Sequence, residues 1–174
     1  MDKSLVKRLQ GFFFEAALAT YAGGTVKKET VPDFPGSKVY RYERSDLLYI
    51  DTYFVNGQSS GGQTLIYHNH LPVWIMQYQG WCKYDDPQVL TFLKKVLTKT
   101  YKEGEFCGGR GKYSIEHWTS DDGLFVYENH PTLPPPTDEF INFMGHESIM
   151  TRAWKPDQSH VVFWHRYQGY LLEK

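Results

Sequence analysis

Three acid–base residues stand out in this 174-residue chain because of their neighbours. Asp51 alternates with Tyr49 and Tyr53, so in a strand all three side chains leave the same face. A carboxylate between two phenols suits a small polar ligand, with rings for stacking and an acid for hydroxyl or amine groups. The plainer alternative is a wet strand face. Glu147 directly follows His146; as a general acid or base it would need burial to raise its pKa. A cross-strand ion pair with Arg152 or Arg166 is its structural alternative. His165, like His117, falls in a strand-like run, where a half-buried, hydrogen-bonded imidazole is the ordinary expectation. Asp51, Glu147 and His165 form the candidate catalytic set, and the chemistry they suggest is metal-independent hydrolysis or lyase action.

The candidate ligand-binding residues are Tyr49, Tyr53, Arg110 and His146. Arg110 sits in Phe106-Cys107-Gly108-Gly109-Arg110-Gly111-Lys112, where glycines could free backbone amides for an anion beside two cations. That loop lacks the spacing of a Walker loop and leads into a strand rather than a helix. His68 and His70 flank Asn69 in a predicted hairpin turn; a third ligand would be needed for a metal, and a solvated turn is the expectation. No serine-hydrolase elbow, dinucleotide fingerprint or zinc-finger pattern occurs, and no cofactor or metal is expected. Cys82 and Cys107 belong to no CxxC pair and read as reduced thiols.

These residues need elements to hold them. Leu5, Leu9, Phe12, Phe13, Ala16 and Thr20 recur at helical spacing, with Gly23-Gly24 as the stop. A second helix runs from Pro87 to about Tyr101 on Val89, Leu90, Leu93, Val96 and Leu97. Between and after the helices the pattern alternates as strands do. Leu48, Ile50, Thr52 and Phe54 make the apolar face of one strand, and Asn56-Gly57 and Gly61-Gly62 bracket the next connection. Two segments repeat without a gap: Phe12 to Gly24 aligns with Phe92 to Gly104, and Val73 to Trp81 with Val162 to Tyr170. The expected fold class is therefore α+β. Two tandem helix-plus-antiparallel-strands repeats, about 5–82 and about 86–172, would form one pseudo-twofold domain over 1–174. A cleft between the repeats would hold the chemistry, at positions such as Asp51 and Glu147 where the two segments differ.

Composition bounds the remaining choices. Hydrophobic residues make up 41%, charged residues 22% and the net charge is −1, so no global field draws the chain to nucleic acid or an anionic membrane. No apolar run is long enough to span a bilayer, and the first residues lack a signal-peptide pattern, which predicts a cytoplasmic protein. An aromatic content of 17% favours strands.

The runs Gly36 to Tyr42, Leu48 to Phe54 and Pro72 to Gly80 resemble an uncharacterised bacterial domain family, sometimes found behind a helix-turn-helix of the XRE type. The helix ending Ala19-Thr20-Tyr21-Ala22 is similar to that family's opening, and Phe143-Met-Gly145-His-Glu147-Ser-Ile149 resembles its Phe-x-Gly-x-Glu-x-Ile pattern. The resemblance is carried mainly by the first half. It implies a shared fold and no particular activity. With no helix-turn-helix ahead of the domain, DNA binding is not expected to come with it. Two functions are weighed: binding of a small polar molecule or protein segment in an aromatic, acidic cleft, or the hydrolase or lyase set above. A third, a homo-oligomer burying the tyrosine-rich face, needs only that face to be exposed.

Overall fold

A computed structural model describes residues 2–83, 87–113, 118–132, 140–151 and 160–172. Helix α1 spans Lys3–Ala19, and Asp2 caps it by accepting from the Ser4 amide at 3.0 Å. Four strands follow: β1 (Lys38–Arg44), β2 (Leu47–Asn56), β3 (Ser59–His68) and β4 (Leu71–Cys82). Each connection between them is two residues long, with positive φ at Ser45, Gly57, Asn69 and His70, so neighbouring strands are forced into antiparallel hairpins. Helix α2 (Pro87–Glu103) precedes β5 (Trp118–Thr119), β6 (Phe125–Pro131), β7 (Asn142–Thr151) and β8 (His160–Leu171).

The expectation of two tandem helix-plus-strand repeats in a pseudo-twofold α+β domain is overturned. The strands make one continuous sheet in the order β1-β2-β3-β4-β8-β7-β6-β5, antiparallel throughout, and they dominate the molecule. Among the described residues there is one sheet, not two that bury their faces against each other. β4 and β8 instead hydrogen-bond edge to edge over nine residue pairs, from Trp74↔Leu171 to Cys82↔Phe163. Backbone pairing drives this arrangement, because two unpaired edges would leave two rows of polar groups without partners. β5 is only two residues long, and 114–117 before it lie outside the described residues.

Both helices cover one face of this sheet. Val6, Leu9, Phe12, Phe13, Ala16 and Ala17 of α1 and Val89, Phe92, Leu93, Val96 and Leu97 of α2 are buried in a single core. Its apolar centre is Trp74, which stacks on Phe140 at 5.0 Å and Phe143 at 5.7 Å and donates its indole N–H to the Phe140 carbonyl at 3.0 Å. The face of β2 turned toward the helices carries Leu47, Tyr49, Asp51 and Tyr53, whereas Leu48, Ile50 and Phe54 lie on the other side. The tyrosine-rich face is thus already covered by the helices of its own chain.

Candidate functional site

Across the inward face the pairing registers line up one polar row. Ser60 on β3 faces Gly80 on β4, Gly80 faces His165 on β8, His165 faces Glu147 on β7, and Glu147 faces Asn129 on β6. The glycine makes this row work. A Cβ at position 80 would meet the Trp164 carbonyl oxygen at 1.9 Å and His165 Cδ2 at 2.3 Å, so only glycine leaves the imidazole room to lie across β4. His165 Nε2 then reaches the Ser60 hydroxyl at 3.0 Å, and Nδ1 stands 3.7 Å from Glu147 Oε1.

The loop after α2 brings the cation. Gly108 and Gly109 have φ near +66° and +67°, closing a turn in which the Arg110 amide donates to the Cys107 carbonyl at 3.2 Å. The Gly111 amide donates to the Tyr127 hydroxyl at 2.9 Å, and Asn129 donates to the carbonyls of Cys107 and Gly111. Two of the amides suggested for an anion cradle are therefore engaged within the protein. What the loop offers is the Arg110 guanidinium, buried and lying over the Tyr78 ring at 4.8 Å. Its Nη1 is 3.6 Å from Glu147 Oε1, beyond hydrogen-bond range, while Nε and Nη2 have no hydrogen-bond partner. Glu147 Oε1 and His165 Nδ1 are likewise unpartnered, so among the described residues the unsatisfied buried side-chain atoms gather in one place.

Asp51 stands beside this row. Its Oδ1 accepts from Tyr78 at 2.7 Å and from Thr64 at 2.8 Å. Burial raises its pKa, against the pull of Tyr78, Thr64 and Arg110. Burial also raises Glu147, against Arg110 and the Tyr127 hydroxyl that donates to Oε2 at 2.7 Å. His165 moves the other way: burial and then Arg110 push it down to about 3, so it is neutral at physiological pH.

Asp51, Tyr49, Tyr53, Arg110 and His165 all line one cavity of about 220 Å³ between the helices and the sheet, with Ser60 and Tyr78. Lys28, Lys38 and Lys94 also line it; Lys38 lies over Tyr53 and Lys94 over Tyr21. Glu147 sits behind His165, wholly buried. His146 does not join them. It lies on the opposite sheet face, stacked on His130 at 5.1 Å and paired across strands with Arg166, so neither histidine nor arginine there reaches Glu147. Arg152 and His117 fall outside the described residues.

Elsewhere, His68 Nε2 lies 2.9 Å from Asp46 Oδ2. No group of three or more His, Cys, Asp or Glu side chains among the described residues is placed to hold a metal. Cys82 and Cys107 are buried and not in a disulfide. Sequence patterning assigns no functional role to Ser60, Tyr78 or Tyr127. Ser60 falls in the connection expected to run through Gly62, and the two tyrosines carry no local signal beyond strand propensity.

No helix among the described residues is long and apolar enough to cross a membrane. No curated protein and no solved structure matches the chain. A family model described as a domain of unknown function, DUF5680, matches residues 51–172, a stretch that takes in Asp51, Arg110, Glu147 and His165. That match covers well over half of the chain, and the protein belongs to this family.

Proposed function

We propose that the cavity binds a small organic anion, a carboxylate or phosphate bearing a hydroxyl or amine group. The observation that carries this reading is Arg110: a buried guanidinium lining the cavity whose Nε and Nη2, the edge that pairs side-on with an oxyanion, have no partner. The three lysines along the cavity favour entry of negative charge. Asp51, held by two donors on Oδ1, suits the ligand's hydroxyl or amine. At about 220 Å³ the space lies below the roughly 300–1,000 Å³ of drug-sized sites, so the ligand is small. A cytoplasmic location fits such a metabolite-sized ligand.

The test is a thermal-shift screen of small carboxylates, phosphate monoesters and neutral sugars, since a ligand bound only to the native state raises the melting temperature. Anions should raise it and neutral sugars should not. A flat response across all anions sinks the reading. The hydrolase alternative keeps one specific support: Asp51, Glu147 and His165 all turn toward the helix-covered face.

A further inference from the structure

The polar row contains a second arrangement that the candidate catalytic set does not include. We infer that Ser60 is a nucleophile, with His165 as its general base and Glu147 as the residue that orients the imidazole, and that the cavity accepts small esters or other activated acyl compounds. Three observations carry this. Ser60 Oγ lies 3.0 Å from His165 Nε2, within reach for proton transfer. The opposite ring nitrogen, Nδ1, faces a wholly buried carboxylate oxygen at 3.7 Å, and both atoms lack partners. A proton on Nδ1 leaves Nε2 as the acceptor from Ser60, and closing that gap to about 3.0 Å onto an ionised Glu147 would satisfy both orphan atoms and restore the basicity that burial and Arg110 take from the imidazole. Finally, Ser60 and His165 line the cavity while Glu147 stands behind, and Gly80 clears the path between the first two.

In the step itself, the Ser60 hydroxyl oxygen bonds to the substrate's carbonyl carbon while its proton passes to His165 Nε2. The carbon–oxygen bond to the leaving alcohol breaks, and that oxygen takes the proton from His165. Water, deprotonated by the same nitrogen, then cleaves the acyl-serine, releasing a carboxylic acid and restoring the hydroxyl. Arg110, lining the same cavity, is the cation available to the developing oxyanion. This rests on the cavity being the ligand site but not on the ligand's charge.

The experiment uses two small probes on the intact protein: diisopropyl fluorophosphate, which phosphorylates an activated serine with loss of fluoride, and p-nitrophenyl acetate. Peptide mass spectrometry should place a single adduct on Ser60, absent from S60A and from the protein unfolded in urea. H165Q should label on the order of 100-fold more slowly or worse. E147Q should shift the pH profile of labelling rather than abolish the adduct, as a positioning residue would. Ser60 left unmodified by both probes overturns the inference, as does labelling equally fast in H165Q or in urea. If H165Q fails to fold, S60A and the urea control still decide. Labelling of Ser60 without anion-induced stabilisation would keep this inference and remove the anion reading; the reverse result would do the opposite.

Discussion

Two rows of the same sheet face, a few residues apart, are built on opposite principles. In the first, Tyr49, Ile66, Trp74 and Leu171 stand side by side, all buried, and the one indole N–H has its acceptor. The second shares β3, β4 and β8 with the first and continues onto β7 and β6 as Ser60, Gly80, His165, Glu147 and Asn129; here buried polar atoms of Glu147, His165 and the adjoining Arg110 are left without partners. Burial without a partner costs free energy, so the second row weakens the fold that the first row stabilises. A protein that kept such a row only for packing would do better with apolar residues of similar volume. The contrast locates function by its energetic cost.

The comparison can be broken at its strong end first. Trp74→Ala removes the aromatic centre of the core and should cost about 3–5 kcal/mol in equilibrium denaturation. A loss below about 1 kcal/mol would mean that the apolar row does not hold the sheet. Next, Arg110→Met leaves Glu147 without its cation and should cost about 3 kcal/mol, the low end for a broken buried pair because Glu147 can take up a proton. The double variant Arg110→Met/Glu147→Gln should recover part of that loss. If both variants are equally unstable, the two charges are not coupled and the row is ordinary core.

Gly80→Ala should cost about 1–3 kcal/mol through overpacking and should also displace the imidazole, since the added methyl falls on Trp164 and His165. A crystal structure of that variant with His165 unmoved would show the glycine to be incidental.

The last test concerns pH. His165 titrates at about 3 in the fold, below the roughly 6.5 of an unfolded histidine, so its contribution is intact above the unfolded value and lost as pH falls toward the folded one. Asp51 and Glu147, both raised by burial, act oppositely, favouring the fold at low pH and costing stability as they ionise on the way up. His165→Gln should therefore flatten the loss of stability between pH 6.5 and 3. Urea titrations across that range check it, and an unchanged slope would place the acid sensitivity elsewhere.

Local pattern makes part of this architecture legible in the sequence. The stripes of α1 and α2, the Asn69-His70 turn and the shared direction of Tyr49, Asp51 and Tyr53 follow from periodicity and turn chemistry alone. The repeated segments mislead, because likeness along the chain says nothing about which edges join, and here β4 pairs with β8. Hydrophobicity misjudges the face of β2: Leu48, Ile50 and Phe54 read as core, yet Tyr49 and Asp51 are the buried pair because partners from β3, β4 and the Arg110 loop surround them. Ser60 is invisible for a related reason. Its partner lies 105 residues away and comes within reach only through the register of three strands and the missing side chain of Gly80.

The most direct measurement is on Arg110 itself. In ¹⁵N-labelled protein its Nε–H resonance can be assigned by its loss in Arg110→Met, then followed while inorganic phosphate, acetate or benzoate is added at constant ionic strength. The account predicts a saturable shift of that resonance and slower exchange of its proton with water for at least one of the three. A resonance that stays fixed through all three titrations, in a protein that remains folded, would contradict it.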